Sequence, residues 1–257
     1  MNHLERHLFV SDFQIPDHNK YALKALLNFI PYFKADYFHL MGDFLNFTKA
    51  SDYTAVGDVP TLGQEIKTGR AVLYDLVTAS RKANKKVKII WYLGNHEYRL
   101  ERFLAKADNV LTDIEDETGE MLVSIEHIFN LKQMGIKLIP YYGTQRVGDA
   151  VIEHGHIARS KAGFTAQAQI EKYGKSGFSG HTHKLSFVSR KQFDDVKFWI
   201  ETGSFCNPEP SPVWAKKPDW VNGFAIGIHD LKEDILHPLP IIMQKNQFYF
   251  EGKIYRG

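Results

Sequence analysis

The sequence feature that most constrains the fold is a buried strand that ends abruptly in a polar turn, at residues 87–100, VKIIWYLGNHEYRL. A mostly apolar run from Val87 to Leu93 stops at Gly94, and Asn-His-Glu and a helix-like segment follow at once. This pattern predicts a buried strand that delivers polar side chains to its carboxyl end. Open α/β sheets bind their ligands at that edge.

Four other apolar segments end in the same way. HLFV leads into Ser11-Asp12-Phe13-Gln14, YFHLM into Gly42-Asp43-Phe44-Leu45-Asn46, DAVIE into His154-Gly155-His156, and SGFS into Gly180-His181-Thr182-His183. Each transition therefore leads into Asp, Asn or His, which are common metal ligands. One such junction would be weak evidence, but five in one chain are strong evidence for a metal site.

Seven side chains are candidate ligands: Asp12, Gln14, Asp43, Asn95, His154, His181 and His183. Carboxylate and imidazole ligands suit Mn, Fe or Zn, and the lack of a cysteine cluster argues against a closed structural zinc site. Seven ligands are too many for one ion and about right for two. Two ions about 3.5–4 Å apart can bridge a phosphate ester and lower the pKa of a bound water.

Composition sets wider limits. A chain of 257 residues with 44% hydrophobic residues is predicted to form a single domain, residues 1–257, with a sizeable core. The net charge of +2 does not by itself indicate a nucleic-acid or membrane partner. No apolar run is long enough for a signal sequence or a membrane span, so the expected location is the cytoplasm. The single cysteine, Cys206, excludes an internal disulfide and is expected to be a packing residue.

The secondary-structure pattern predicts two packed sheets with helices outside. A strand over 7–11, a leucine-rich helix closed by Pro31 and a strand over 37–41 form a β-α-β unit. Helices are expected over 62–83, from Glu97 to about Lys106, and over 162–173. LSFVSR, VKFWIET and FAIGIHD are expected to be strands of a second, more antiparallel sheet, and QFYFEGKIYRG a closing hairpin.

The order of the polar motifs resembles the calcineurin-like metallophosphoesterase superfamily, whose signature is D-x-H, G-D-x-x-D/N, G-N-H-D/E, a separate His and G-H-x-H. The similarity covers roughly residues 7–185 in the correct order, and GNHE and GHTH are its most specific parts. The extension Glu97-Tyr98-Arg99-Leu100 resembles a bacterial and phage branch with the pattern GNHExRL. The resemblance implies an α/β fold in which a two-sheet β-sandwich is flanked by helices, in four αββα layers.

The resemblance also implies roles for individual residues. Asp12, Gln14 and His183 would hold a first metal, Asn95, His154 and His181 a second, and Asp43 would bridge both. The cofactors would be two divalent ions, with Mn favoured and Fe, Zn or Mg as alternatives. The expected reaction is hydrolysis of a phosphate mono- or diester through a metal-bridged hydroxide. His96 would be the catalytic residue that assists the leaving group, which is worth about 10²–10⁴-fold in rate.

Gln14 departs from the family pattern, which has His at this position. A neutral amide oxygen is a poorer ligand for Zn or Fe, so a weaker first site or a preference for Mn or Mg is predicted. His18 is a less favoured substitute and is expected to face solvent at a helix start. Arg99 and Arg159 are candidate substrate-binding residues that could hold phosphate, although solvated helix faces explain each one equally well.

Two other functions remain open. A nuclease acting on DNA or RNA would make nucleotide or nucleic acid the partner, and a non-catalytic metal-bound scaffold is an alternative from another class. The sequence leaves the oligomeric state open. Glu97 is expected to cap a helix at least as readily as to act as a base, and His39 to be hydrogen-bonded in the core. The remaining histidines are expected to have no shared site: His3, His7, His127, His229 and His237.

Overall fold

The computed structural model describes residues 3–52, 59–106, 110–208 and 219–257. Its helices are α1 (Lys20–Phe33), α2 (Leu62–Ala83), α3 (Glu97–Lys106), α4 (Ile125–Ile128) and α5 (Phe164–Tyr173). Its strands are β1 (Leu4–Val10), β2 (Tyr37–Leu40), β3 (Lys88–Tyr92), β4 (Ile136–Ile139), β5 (Gln145–Val147), β6 (Ala150–Ile152), β7 (Gly177–Ser179), β8 (Leu185–Gln192), β9 (Asp195–Thr202), β10 (Gly223–Asp230), β11 (Ile235–Ile242), β12 (Gln247–Phe250) and β13 (Lys253–Arg256).

The first sheet has six strands in the order β11-β10-β1-β2-β3-β4. Strands β1 to β4 are parallel, and β10 pairs antiparallel with β1. The sequence-based assignment of FAIGIHD to the second sheet is therefore wrong, because this segment is β10 and extends the first sheet. Its alternation of side chains identified a strand but held no information about which neighbour it pairs with.

The second sheet has five strands in the order β5-β6-β7-β9-β8. Strands β6, β7 and β9 are parallel, whereas β5 and β8 are antiparallel edge strands. Both sheets thus contain a parallel centre whose carboxyl ends can converge. The predicted closing hairpin is also present, as β12 and β13.

Helices cover the outer faces of both sheets. Helices α1 and α2 pack on the first sheet in a large core that includes Leu26, Leu76 and Trp91, and α5 packs on β8 and β9. A separate apolar layer that includes Phe9 and Phe178 lies between the sheets. The four-layer αββα sandwich expected from the sequence is the observed architecture.

The helix predictions were accurate for α2 and α3 and wrong at one end of α1. Helix α1 continues past Pro31 to Phe33, and the N–H of Lys34 closes it on Ile30 O. A proline so close to a helix end removes a single backbone hydrogen bond, so it did not stop the helix. At the start of α1, Asn19 accepts bonds from the N–H groups of Tyr21 and Ala22, as a capping residue does.

None of the helices in the described part of the chain is long and apolar enough to cross a membrane.

Candidate metal centre

The seven predicted ligand side chains lie together where strands of both sheets end. They follow the carboxyl ends of β1, β2, β3, β6 and β7, and together they are called the carboxyl-edge centre: Asp12, Gln14, Asp43, Asn95, His154, His181 and His183. Five of them have left-handed backbone conformations: Asp12 (φ 56°), Gln14 (φ 53°), Asp43 (φ 48°), His181 (φ 72°) and His183 (φ 59°). Non-glycine residues rarely adopt this conformation, and such strain is concentrated at functional sites.

One half of the centre is formed by Asp43, Asn95, His154 and His181. His154 Nε2 lies 3.4 Å from Asp43 Oδ1 and 3.2 Å from Asn95 Oδ1. His181 Nδ1 lies 2.7 Å from the same Asn95 oxygen. His154 Nδ1–H donates to Met41 O at 2.7 Å, which leaves the Nε2 lone pair directed into the cluster. Asp43, His154 and His181 could hold a metal ion.

The other half is formed by Asp12, Gln14, Asp43 and His183. His183 Nε2 lies 3.3 Å from Asp12 Oδ1, which is buried without a well-aligned hydrogen bond to any described residue. Asp12, Asp43 and His183 also form a set that could hold a metal ion. Asp43 is thus common to both halves. An orphaned carboxylate oxygen beside imidazole nitrogens is a donor set that fits a divalent metal ion.

The Gln14 side chain lies in the half that contains Asp12 and His183, and it uses its amide nitrogen there. Gln14 Nε2 donates to Asp43 Oδ2 at 3.1 Å and lies 3.5 Å from His183 Nε2. Its amide would have to turn to present an oxygen to a metal. As placed, Gln14 presents a nitrogen donor to Asp43 rather than an oxygen to the centre, and its role as a ligand stays a prediction.

Three glycines allow the loops of the centre to approach each other. A Cβ at Gly180 would lie 2.5 Å from Asp12 Oδ2, and one at Gly42 would lie 2.5 Å from His154 Nδ1. A Cβ at Gly94 would overlap the Asp43 side chain and backbone nitrogen. Real Cβ atoms do not approach so closely, so these positions require glycine for steric reasons.

The charges within the carboxyl-edge centre shift several pKa values. Burial alone would raise the pKa of Asp43, but nearby His96, His154 and His181 outweigh it and lower the pKa. Burial opposes protonation of His154, yet the carboxylates of Asp43 and Asp12 raise its pKa. In the metal-free protein the raised pKa values of His154 and His183 favour protons on these two rings, whereas burial and the neighbouring His154 lower the pKa of His181 to about 4. Metal binding is expected to displace these protons.

Glu97 is fully buried and ties two of the loops together. Its carboxylate accepts bonds from the N–H groups of Gly94 at 2.8 Å, Asp43 at 2.9 Å, Phe44 at 2.7 Å and Leu45 at 3.1 Å. Burial and the charge on Asp43 raise the pKa of Glu97 to about 7, against these hydrogen bonds. The expectation that Glu97 caps its own helix was therefore incomplete, because its carboxylate also accepts bonds from the loop after β2. Sequence reasoning missed this role.

His96 lies at the rim of the carboxyl-edge centre and is paired with Arg99. His96 Nδ1–H donates to Asn46 O at 3.1 Å, and Nε2 lies 3.6 Å from Asp43 Oδ2. Arg99 donates to His96 Nε2 at 3.0 Å and to Asn46 O at 2.8 Å. Burial lowers the pKa of His96 to about 4, and the Arg99 charge adds to this effect. Arg159, the other predicted phosphate ligand, is exposed.

Near the centre, Cys206 is buried as expected, whereas His18 differs from expectation. Cys206 is buried, and its Sγ lies 3.4 Å from His183 Nδ1, so this packing residue also touches a candidate ligand. His18 is buried rather than facing solvent, and its Nδ1 lies 3.2 Å from Pro16 O.

His156 is exposed and faces Lys172. The Trp220 ring lies 4.4 Å from that of His183, whereas Trp214 lies outside the described residues.

Comparisons with known proteins give limited similarity. No family model matches the chain. A protein of Mycobacterium phage D29, described as "Gene 54 protein", is 25% identical over 231 residues, which are 86% of this chain and 88% of that protein.

Among solved structures, Vps29 from Chaetomium thermophilum has 13% identity and a TM-score of 0.48, covering 98% of both chains. Vacuolar protein sorting 29 from Cryptosporidium parvum has 13% identity and a TM-score of 0.46, covering 99% of both chains. Vps29 from Entamoeba histolytica, in complex with zinc, has 13% identity and a TM-score of 0.40, covering 92% of this chain and 98% of that chain. At TM-scores below 0.5 these similarities carry no argument about function.

Proposed function

We propose that this protein is a dinuclear metal-dependent phosphoesterase of the calcineurin-like metallophosphoesterase superfamily, and that it hydrolyses a phosphate mono- or diester. The observation that carries this proposal is the meeting of seven predicted ligand side chains where strands of both sheets end, in two halves that share Asp43. Each of two aspartates, an asparagine and three histidines has a side-chain atom within 3.4 Å of another member of the set, which loops with unrelated roles would not require.

The two halves suggest how ions would be held. Asp12, Gln14 and His183 would hold one ion, Asn95, His154 and His181 the other, and Asp43 would lie between them. Two divalent ions, with Mn favoured, would supply charge for the phosphoryl oxygens and an activated water. Glu97 holds the loop that carries Asp43 against the loop that carries Asn95, because its carboxylate accepts bonds from the N–H groups of both Asp43 and Gly94.

His96 and Arg99 would act on the leaving group and the phosphoryl charge. Arg99 holds a permanent charge next to His96 Nε2, and the His96 ring is fixed by its bond to Asn46 O. In this arrangement Arg99 can bind a phosphate oxygen. His96 can then donate a proton from Nε2 once substrate charge compensates its burial.

Hydrolysis assays test the proposal directly. Protein stripped of metal with a chelator and reloaded with Mn should hydrolyse bis-p-nitrophenyl phosphate or p-nitrophenyl phosphate. Asp43→Ala should lower kcat/KM by about 10³-fold or more, because metal charge stabilisation is worth several kcal/mol. Asp149→Asn, which changes a carboxylate bonded to Lys175 and Lys197, is the matched control and should retain activity.

The role of His96 has its own test. His96→Ala should keep the metal content of the wild type and lose about 10²-fold in kcat. The loss should be greater for a phenyl ester than for a p-nitrophenyl ester, because a poorer leaving group needs the proton more. Equal losses would instead assign His96 to charge stabilisation. If wild-type protein with both ions bound shows no turnover, the proposal of an enzyme would give way to that of a non-catalytic metal-bound scaffold.

A further inference from the structure

A second group of metal-ligating side chains lies between the two sheets. Glu5 and His7 are two residues apart on β1 and therefore share one face of the strand. His229 on β10 is the register partner of Glu5. Their ligand atoms lie within 4.8 Å of one another, and Glu5 Oε2 is 3.8 Å from both His7 Nε2 and His229 Nδ1. These three residues are called the strand-face cluster.

The strand-face cluster is separate from the carboxyl-edge centre. Asp12 follows His7 by five positions along the extended chain, a distance of about 16 Å at 3.3 Å per residue. The two groups share no residue. The sequence-based expectation that His7 and His229 have no shared site is therefore wrong, because the register of β1 and β10 brings them together.

An orphaned nitrogen points to a missing ligand. His7 is 1% exposed, and its Nε2 has no hydrogen-bond partner among the described residues. Its Nδ1 lies 3.1 Å from His39 Nε2, and His39 Nδ1 lies 3.0 Å from the Tyr92 hydroxyl. In one arrangement, His7 Nδ1–H donates to His39 Nε2 and His39 Nδ1–H donates to the Tyr92 hydroxyl. His7 Nε2 then carries a lone pair that no described residue uses. A buried polar atom without a partner is costly, and a bound cation would remove that cost.

His229, the second histidine of the cluster, also directs a ring lone pair toward Glu5. His229 Nε2–H donates to Asp234 Oδ1 at 2.8 Å, so Nδ1 directs its lone pair toward Glu5. A carboxylate that fixes the tautomer of a ligating histidine is a common second layer of metal sites. The second sheet packs closely on this pair, since a Cβ at Gly148 would lie 3.2 Å from both bonded atoms.

We propose that Glu5, His7 and His229 bind a zinc ion, with solvent as the fourth ligand. Two imidazole nitrogens and one carboxylate oxygen are a donor set that zinc accepts. Tetrahedral zinc with bonds of about 2.0–2.2 Å places its ligand atoms about 3.3 Å apart. The two 3.8 Å separations from Glu5 would therefore close by about half an ångström, and the His7 and His229 nitrogens would close from a separation that lies within 4.8 Å. The Glu5 side chain is 30% exposed, which gives solvent access to the site. The ion would link β1 to β10.

Zinc stoichiometry tests the proposal without reference to hydrolysis. The full chain is stripped with a chelator, equilibrated with limiting and then saturating zinc, freed of excess zinc, and analysed for bound metal by mass spectrometry. Glu5→Gln removes one ligand charge at a partly exposed position, so the fold should be retained. It is expected to bind about one zinc per chain fewer than the wild type. Glu171→Gln, an exposed carboxylate on α5, is the matched control and should bind as much as the wild type.

A second comparison separates the two sites. Asp12→Asn/Asp43→Asn disables the carboxyl-edge centre, and it should retain about one zinc that is lost when Glu5→Gln is added. If the double variant does not fold, the wild type and Glu5→Gln still provide the comparison. Crystals grown with zinc should show an anomalous peak, at the zinc absorption edge, between Glu5, His7 and His229. Equal zinc content in wild type and Glu5→Gln, with no such peak, would overturn the proposal.

Discussion

The carboxyl-edge centre and the strand-face cluster both contain acidic residues and histidines, but the first places them on loops and the second on paired strands. The first takes its ligands from loops, and five of those ligands have left-handed conformations. The second takes its ligands from paired strands, where none of the three has a positive φ and the ladder already satisfies the backbone. Loops can arrange many ligands around two ions but need support from outside. Strands supply fewer ligands and need no such support.

The strongest test of this contrast is the removal of the Glu97 carboxylate. Glu97→Ala would leave four buried N–H groups without their acceptor, in the loops that carry Asp43 and Asn95. We expect the free energy of unfolding to fall by about 4 kcal/mol, since each orphaned donor costs about 1–3 kcal/mol before relaxation. Urea unfolding followed by circular dichroism measures the change.

Glu101→Ala removes an exposed carboxylate one turn later on α3, and as the matched control it should change stability by less than about 0.5 kcal/mol. A loss below about 1 kcal/mol for Glu97→Ala would show that the loops do not depend on this support.

The second-largest expected effect is a loss of stability in acid, caused by His7 of the strand-face cluster. Burial and the neighbouring His229 lower the pKa of His7 to about 3. Because this pKa lies below the unfolded value of about 6.5, stability is full above pH 6.5 and is lost as pH falls toward 3. Between pH 6.5 and pH 5 the metal-free protein should lose about 1.6 kcal/mol through this group.

The groups that face His7 are Glu5, His39, His229 and Tyr37. His7→Gln should remove the His7 part of the pH dependence while leaving those neighbours in place. Urea unfolding at both pH values, in the presence of chelator, measures the difference. If the free energy of unfolding depends on pH in the same way for wild type and His7→Gln, a charge at this strand position is tolerated. The proposed difference between the two regions would then be wrong.

The smallest expected effect concerns Gln14. Gln14→His restores an imidazole where the amide nitrogen now bonds Asp43. We expect the affinity of the weaker site for Zn to rise about tenfold, which is about 1.4 kcal/mol, because imidazole is a better ligand for zinc than an amide oxygen. Calorimetric titration of the metal-free protein gives both dissociation constants. Gln167→His on the exposed side of α5 is the control, and an unchanged weak site in Gln14→His would remove Gln14 from the ligand set.

Much of the architecture could be predicted because local signals agreed with it. Helix α2 begins at Thr61, whose side chain and that of Gln64 form a capping box, and its bounds were predicted correctly. Strand β3 and the turn after it were identified by the abrupt change at Gly94. The position of β10 was not predicted, since alternation shows that a strand has one buried face but does not identify its neighbour.

The two metal regions differ in the same respect. Motifs such as GNHE and GHTH hold their ligands within a few consecutive residues, so they could be recognised one loop at a time. In the strand-face cluster only the spacing of Glu5 and His7 is local, and it places them on one face of β1. His229 joins them through strand register across 222 positions from His7. A pairing of that kind depends on the folded sheet.

The left-handed conformations at the carboxyl-edge centre have an evolutionary consequence. Each costs about 1 kcal/mol relative to a residue without a Cβ, so ligand identity is maintained against a steady advantage for glycine. In a descendant lineage released from selection for metal chemistry, positions 12, 14, 43, 181 and 183 should drift toward glycine and asparagine sooner than positions 95 and 154. The order in which these positions change in related sequences would thus record whether, and when, the chemistry was abandoned.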